Sequence, residues 1–413
     1  MDLLKTMSAL SILSAVSADL KLFQRPGPIR SEKIFNTCFF WNTDNNPRFL
    51  SLAHKSLNFS KTLEGLVKNS QKSEFDLRTF DPEGLIFYGD IKENWFILAL
   101  RNGSPEIQIS NQYCHMMVTS SETINNGKWR RIIVKSEKNN IKLLLDGRPI
   151  LKITMLPNIG LEGTTKRMRI ALGHAFINTS SFIVPLKDRL DGCITNWNWM
   201  QQNTTWLEKK LASNPNMQCP TNITPGTFFQ GAGMAVFESS GFHNNSDSQV
   251  DWTLRFEATI RPVKHSGAVL AILSQAYKPL LRLDFVEWTR QEQFRLRFGG
   301  DPVLQLQGPN RLCSGQRLTL AISREEATLR VGDQQETWPL AKDTFTPLIE
   351  AWFKKEAKIF LGGLPVLTIL GFDWFNFAGC MQDMRLQGMA VDLNQAMFVH
   401  DSISTHSCPA PEN

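Results

Sequence analysis

Two cysteine pairs of almost equal spacing divide the chain into two halves. Cys193 and Cys219 are 26 residues apart, and Cys380 and Cys408 are 28 residues apart. The first cysteine of each pair follows a glycine, and Cys408 follows Cys219 by 189 residues. Cys380 follows Cys193 by 187 residues, and two nearly equal offsets are typical of a duplicated structural unit. The pattern predicts two copies of one domain, each closed by a disulfide between its own two cysteines.

The length and composition support two separate hydrophobic cores. The chain has 413 residues, of which 42% are hydrophobic and 20% are charged, and domains of about 100–200 residues are of ordinary size. We predict a first domain at residues 46–219 and a second at residues 224–408. Only a few linker residues separate them.

Short runs of alternating apolar and polar residues dominate both halves. From Trp252 to Ile260 every second residue is apolar, as expected for a strand with one buried face. In the first half, Asn102-Gly103 and Asp146-Gly147 each separate two apolar runs, and these dipeptides favour the positive φ angles of hairpin turns. Because a one-faced sheet buries that face on another sheet, the sequence predicts an all-β fold of two antiparallel β-sandwiches.

The N-terminal region has the features of a secretory leader. Residues 1–18 combine one lysine, a modest apolar stretch and small residues at Val16-Ser17-Ala18, which predicts a signal peptide; the alternative is a disordered arm. Residues 19–45 are then an irregular segment. Six acceptor sequences for N-glycosylation occur, and we predict sites at Asn58, Asn178, Asn203, Asn222 and Asn244. No later apolar run is long enough to span a membrane, so we expect a secreted, extracellular protein.

The remaining chemistry argues against catalysis, zinc binding and nucleic-acid binding. The seven cysteines include no Cys-X-X-Cys motif, the seven histidines lack metal-ligand spacing, and no nucleophile-elbow or phosphate-loop motif occurs. The net charge of +6 is distributed along the chain, which does not favour a polyanionic partner. The odd cysteine count leaves at least one thiol free or intermolecular. We therefore predict a binding protein rather than an enzyme.

A succession of short motifs resembles the laminin G-like domain family. The first half contains Arg78-Thr79-Phe80-Asp81-Pro82-Glu83-Gly84-Leu85-Ile86-Phe87-Tyr88-Gly89, then Gly127-Lys128-Trp129, Met168-Arg169-Ile170-Ala171-Leu172-Gly173 and Leu190-Asp191-Gly192-Cys193. In the second half, Ile359-Phe360-Leu361-Gly362 still matches. The resemblance covers about residues 60–410. It implies two laminin G-like antiparallel β-sandwich domains of the jelly-roll type in tandem.

Within that family, the first half is similar in particular to the members that carry steroids. This resemblance implies a carrier that binds androgens and oestrogens, such as testosterone, dihydrotestosterone and oestradiol, inside the first sandwich and forms a homodimer. It implies that Ser73 meets the A-ring oxygen and that Asn111 meets the D-ring end, with Asn94 where the family has an aspartate. Apolar wall positions fall on Phe96, Val134 and Met168, whereas Ser136 stands at a position that is usually a wall methionine.

The same resemblance implies a calcium site and a dimer interface. Asp81 and Glu83 match a calcium site of the family, completed by main-chain carbonyls; the alternative is a turn with solvated acids. The family's zinc site is not retained, because Gln112, Thr165 and Asn94 occupy its positions. Val118 and Leu151 match interface positions on an edge strand, although either could belong to the core.

The competing interpretation is a laminin G-like adhesion or receptor-ligand protein. Fold alone does not separate the two functions, because function depends on the site. The combination of Ser73, Phe96 and Asn111 favours steroid binding. The second half has no evident polar pair at corresponding places, so we expect one steroid per chain.

Overall fold

A computed structural model of the chain describes most residues between 50 and 411. Residues 1–49 and 412–413 lie outside the described part, and with them the predicted signal peptide (1–18), the segment 19–45 and the predicted start of the first domain. The internal gaps are residues 52–59, 67–69, 92, 112–113, 138–139, 155–164, 188, 200–204, 206–218, 244–248, 250, 264–266, 289–290, 300, 309–314, 342 and 366–375.

Twelve described strands form the first sandwich. They are β1 (Leu50–Ser51), β2 (Ser60–Leu66), β3 (Ser70–Thr79), β4 (Gly84–Ile91), β5 (Asn94–Arg101), β6 (Ser104–Asn111), β7 (Cys114–Thr119), β8 (Arg130–Glu137), β9 (Asn140–Leu145), β10 (Arg148–Thr154), β11 (Thr165–Leu172) and β12 (Gly192–Trp199). One sheet has the order β1-β12-β3-β8-β9-β10 and the other has the order β2-β11-β4-β5-β6-β7. The pairings within both sheets are antiparallel.

The core of this sandwich lies between its two sheets. Phe75 and Leu77 from β3 belong to the same buried cluster as Leu98 from β5 and Ile107 from β6, and none of the four is more than 1% exposed. Alternate residues of a strand point to the same side. The apolar alternation of the sequence therefore fills the space between the sheets.

Two hairpins form at the dipeptides that predicted them. Asn102 and Gly103 join β5 to β6 with φ angles of 51° and 80°, and Asp146 and Gly147 join β9 to β10 with φ angles of 49° and 84°. Positive φ at both turn residues matches the right-handed twist of the paired strands. These turns fix the register of the strands that carry the candidate site.

The second half repeats the all-β architecture. Its strands are β13 (Ile223–Pro225), β14 (Thr227–Gln230), β15 (Ala235–Glu238), β16 (Leu254–Pro262), β17 (Gly267–Leu273), β18 (Pro279–Trp288), β19 (Gln291–Phe298), β20 (Asp301–Gln307), β21 (Gln316–Ile322), β22 (Glu326–Val331), β23 (Gln334–Pro339), β24 (Lys358–Leu361), β25 (Ala378–Leu386), β26 (Met389–Ala390), β27 (Phe398–Val399) and β28 (Ser407–Pro409).

These strands form two seven-stranded sheets and one small sheet. The orders are β14-β25-β16-β21-β22-β23 with β26 on β25, β20-β19-β18-β17-β24-β15-β27, and β13-β28. One α-helix, α1 (Thr346–Phe353), is described, together with 3-10 turns at Thr179–Ser181, Ser239–Phe242 and Leu393–Gln395. No helix within the described ranges has the length and apolar character that a membrane crossing requires.

The chain divides into two compact units by its internal contacts. The described residues up to 229 form one unit together with residues 380–383 and the residues from 400 onward, and residues 230–379 form the other with residues 384–399. The structure joins Cys193 to Cys219 and Cys380 to Cys408. Both predicted disulfides lie in the unit that contains the first sandwich. Cys114 is a free thiol.

Candidate functional site

An apolar cavity of about 190 Å³ lies between the two sheets of the first sandwich. Its apolar wall consists of Phe75, Phe87, Gly89, Phe96, Leu98, Val134, Ile141 and Trp199. Two hydroxyl groups, those of Ser73 and Ser136, complete the lining. No ionisable side chain takes part in it. The chemistry of this wall suits an uncharged, mostly apolar ligand with a small number of oxygen atoms.

Strand register places the lining residues opposite each other. In one sheet, Ser73 on β3 pairs with Val134 on β8 on one side and with Trp199 on β12 on the other. In the facing sheet, Gly89 on β4 pairs with Phe96 on β5. A Cβ atom at Gly89 would lie 3.2 Å from the ring of Phe87. The absence of a side chain at Gly89 therefore lets the ring of Phe87 pack close to the main chain.

Aromatic contacts hold the walls of the cavity. The ring centroids of Phe87 and Trp199 are 5.5 Å apart in a stacked arrangement, and those of Phe75 and Trp199 are 5.2 Å apart. Phe96 meets Phe87 edge to face with a centroid distance of 6.2 Å. Contacts of this geometry stabilise beyond the burial of area alone. Phe75 and Trp199 are buried in this wall, whereas Phe87 and Phe96 are half-buried.

The structure brings three of the predicted steroid-binding residues together. Ser73, Phe96 and Val134 all line the cavity. Met168 lies on β11 opposite Leu63 in the strand register, but its side chain is outside the described part of the chain. Phe75, Phe87 and Trp199 were not predicted as lining residues. Phe75 and Leu77 are apolar residues two positions apart, and this alternation could have identified Phe75 as a residue that faces the core.

The two predicted asparagines lie beyond the cavity lining. Trp95 pairs with Ser110, so Asn94 and Asn111 stand opposite each other at the open end of the β5–β6 hairpin. The two-residue period of a strand puts them on the same face as Phe96. Asn94 is exposed and Asn111 is half-buried. Both asparagines lie one row of side chains outside Phe96, and their roles in ligand binding stay predictions.

A buried acidic cluster lies at another corner of the same unit. One oxygen of Asp81 accepts the Glu83 N–H at 3.1 Å, and the other accepts the Asp191 N–H at 2.9 Å. The Asp191 carboxylate accepts hydrogen bonds from the Ser404 hydroxyl at 2.8 Å and from the main-chain N–H of His406 at 2.7 Å. These contacts hold the C-terminal segment against β12 and the residues that precede it.

Burial controls the protonation of both acids. Desolvation raises the pKa of Asp81 to about 6, against the opposing effect of the Asp191 and Glu83 N–H groups. Burial also raises the pKa of Asp191, again against hydrogen bonds from His406. Low local polarity disfavours the ionised form of a carboxylic acid. Asp81 is therefore able to take up a proton near pH 6.

The predicted calcium ligands fit a cation only in part. A Cβ atom at Gly84 would lie 2.1 Å from the Arg189 carbonyl oxygen, so this carbonyl lies directly beside the Asp81 to Gly84 turn. Both oxygens of Asp81 already accept main-chain N–H groups, and the Glu83 carboxylate lies 3.9 Å from the Arg101 guanidinium. Calcium takes six to eight oxygen ligands. Within the described ranges, no group of three or more metal-ligating side chains occurs, and calcium binding stays a prediction.

The other predicted positions lie on edge strands, on the surface or outside the described residues. Val118 is half-buried on β7, and Leu151 is buried on β10; these two strands end their sheets in the described topology. Both side chains pack on the core cluster. Asn178 and Asn222 are exposed. The other predicted glycosylation sites, Asn58, Asn203 and Asn244, lie outside the described residues, as do Cys38 and Cys313.

Comparison with known proteins defines the family of the chain. Two laminin G domain family models match it, one over residues 77–205 and the other over residues 260–389. Sex hormone-binding globulins from Oryctolagus cuniculus and Homo sapiens are 29% and 30% identical over 350 and 347 residues. These matches cover 84% and 82% of this chain and 83% and 80% of those proteins. The chain belongs to the laminin G domain family that includes sex hormone-binding globulin.

Other members of the laminin G domain family are almost as similar. Vitamin K-dependent protein S from Oryctolagus cuniculus is 28% identical over 359 residues, which cover 83% of this chain and 54% of that protein. Domains LG4-5 of the mouse laminin alpha1 chain superpose with a TM-score of 0.60 at 18% identity, covering 94% of this chain and all of that one. The predicted fold of two tandem laminin G-like β-sandwiches is confirmed.

Proposed function

We propose that the protein is a carrier that binds sex steroids inside its first laminin G-like domain, in the class of testosterone, dihydrotestosterone and oestradiol. The observation that supports this proposal is the apolar cavity in which Ser73, Phe96 and Val134 meet. The similarity to sex hormone-binding globulin, whose name states what it binds, supports the same ligand class. The role is binding without catalysis.

The energetics of such a complex are mainly apolar. Burying roughly 300 Å² of apolar ligand surface at about 25 cal/mol/Å² contributes about 7 kcal/mol, whereas a neutral hydrogen bond adds about 1 kcal/mol. The cavity of about 190 Å³ is smaller than the pockets of about 300 Å³ and more that enclose ligands of this size. We expect the half-buried Phe96 and Ile141 to move outward when a steroid enters.

The test is equilibrium binding of labelled testosterone and oestradiol to the purified chain. We expect saturable binding of one steroid per chain at micromolar concentration or below, and its loss in Val134→Trp, which fills the cavity. Lys152→Trp adds the same side chain at an exposed position of β10 and should bind normally. Circular dichroism and thermal unfolding verify that both variants fold.

The alternative function is adhesion or receptor binding, as a laminin G-like protein similar to the C-terminal region of protein S. The nearly equal identities to sex hormone-binding globulin and to protein S keep this alternative open. A folded wild-type protein that binds neither steroid at micromolar concentration would reject the carrier function in favour of this one.

We further propose that the protein is secreted, N-glycosylated and homodimeric. The two disulfides support an oxidising compartment, since disulfides persist mainly outside the cytosol. The exposure of Asn178 and Asn222 supports access for glycosylation. The β7 and β10 edges, with Val118 and Leu151, are the proposed dimer contacts. Sedimentation of the purified chain with and without steroid tests the dimer, and a monomer in both conditions rejects it.

A further inference from the structure

Ser136 lines the cavity with a hydroxyl group, and the oxygen atoms at the two ends of a steroid do not account for this group. It lies on β8 and lines the cavity beside Ile141. Its hydroxyl makes no hydrogen bond with any residue in the described part of the chain, although the cavity wall around it is apolar. A hydroxyl group that an apolar ligand covers loses its contact with water, which is unfavourable unless the ligand supplies a partner.

The strand register sets the distance between the two hydroxyls of the wall. Ser73 on β3 stands directly opposite Val134 on β8, and Ser136 is two residues after Val134 on β8. Side chains two residues apart share a face of the sheet, and diagonal cross-strand neighbours are separated by roughly 7 Å. Ser73 and Ser136 therefore present two hydrogen-bonding groups to one side of the ligand, roughly 7 Å apart.

This spacing is shorter than the length of a steroid, whose usual oxygens lie at opposite ends. If the oxygen at one end meets Ser73, Ser136 faces the body of the ring system rather than its other end. We infer that Ser136 determines specificity for steroids that carry an additional hydroxyl or keto oxygen on a middle ring. This inference rests on the proposed steroid-carrier function and names the subclass of ligand that the same cavity prefers.

Discrimination between steroids depends on whether the ligand gives the Ser136 hydroxyl a hydrogen-bond partner. A steroid with a middle-ring oxygen gives the Ser136 hydroxyl a partner, whereas a steroid with oxygen only at its ends leaves that hydroxyl buried and unpaired. The wild-type protein should bind the oxygenated steroid about tenfold more tightly than its parent. Removal of the hydroxyl should abolish this preference.

The test compares testosterone with its 6β-hydroxy and 11β-hydroxy derivatives in competition against labelled testosterone. Wild type, Ser136→Ala and Ser136→Thr are measured in parallel, with Ser121→Ala as a matched control at an exposed loop position. We expect at least one derivative to gain about tenfold over testosterone in wild type, Ser136→Thr and Ser121→Ala. In Ser136→Ala the ratio should fall to near one, with the affinity for testosterone unchanged or higher.

Two different results overturn the inference. If testosterone binds but neither derivative is preferred, or if Ser136→Ala keeps the wild-type ratio, Ser136 does not determine specificity while the carrier function stands. If none of the three steroids binds the folded wild-type protein, the carrier function and the inference are both rejected.

Discussion

Replacement of Asp81 by asparagine should flatten the pH dependence of folding stability between pH 5 and 8. Asp81 is only 2% exposed, and desolvation raises its pKa to about 6, although the N–H groups of Asp191 and Glu83 and the charge of Lys187 oppose this shift. In the unfolded chain an aspartate has a pKa near 4. The folded state therefore holds the proton more tightly than the unfolded state does.

The sign and size of the effect follow from this difference in pKa. The proton on Asp81 stabilises the fold fully below about pH 4, and its contribution disappears as the pH rises through 6. The difference of about two pKa units corresponds to about 3 kcal/mol over the whole range. Between pH 5 and 8 the wild-type protein should lose about 1.4 kcal/mol of its free energy of unfolding through this group.

The neighbouring acid acts in the same direction. The charge of Asp81 is one of the causes that raise the pKa of Asp191, so its removal lowers the pKa of Asp191. The two carboxylates titrate as a pair, and Asp81→Asn removes one of the two titrating groups.

Urea denaturation at pH 5, 6, 7 and 8 measures the effect. Asp251→Asn, which makes the same substitution at an exposed position, is the control and should keep the wild-type slope. Equal slopes in wild type and Asp81→Asn would show that the buried carboxyl does not take up a proton on folding, and the reasoning from burial would be wrong.

The same two proteins, wild type and Asp81→Asn, also test the predicted calcium site. Calcium requires ionised Asp81, so at pH 7.5 a calcium concentration 100 times its Kd should stabilise the wild-type fold by about 2.7 kcal/mol. Asp81→Asn should respond much less, because the amide keeps one oxygen but loses the negative charge that attracts the cation. A wild-type melting temperature that is unchanged by millimolar calcium would reject the predicted site.

Two further substitutions test what holds the first sandwich together. Glu106 is fully buried and accepts two hydrogen bonds from Arg101, at 2.6 and 3.2 Å. Arg101→Ala should cost about 3 kcal/mol in urea unfolding, because it leaves the charge of Glu106 buried with only the neutral donors Gln108 and Thr119. The exposed Arg148→Ala should change little. The double change Cys193→Ser with Cys219→Ser removes a disulfide that closes 26 residues and should lower the free energy of unfolding by about 3.5 kcal/mol; a loss below 1 kcal/mol would contradict the chain-entropy reasoning.

Local sequence chemistry predicted the elements of the fold well. Asn102-Gly103 and Asp146-Gly147 form hairpin turns because few other residues accept positive φ at both positions. In β16, alternation predicted which side of the strand is buried. The family resemblance then identified Ser73 and Val134, which the register of β3 and β8 places opposite each other.

Contacts between distant parts of the chain could not be predicted in this way. Asp191 and Ser404 are 213 positions apart, and nothing in the sequence around Asp191 indicates that the C-terminal segment returns to it. The contribution of Trp199 to the cavity could not be predicted for the same reason, because it depends on the pairing of β12 with the distant strand β3. Asn94 and Asn111 match the family by sequence, but the end of a hairpin places them one row outside the cavity lining.

The two copies of the domain differ most in the polarity of equivalent inner faces. In the second domain β16 lies between β25 and β21, as β3 lies between β12 and β8 in the first. The inward residues of β16 and β21 are all apolar and at most 1% exposed: Leu254, Phe256, Ala258, Ile260, Leu318, Leu320 and Ile322. The corresponding faces of β3 and β8 instead include Ser73 and Ser136. Polar groups between two sheets weaken apolar packing, so the first copy has the face that suits a ligand with oxygen atoms, whereas apolar packing stabilises the corresponding face of the second copy.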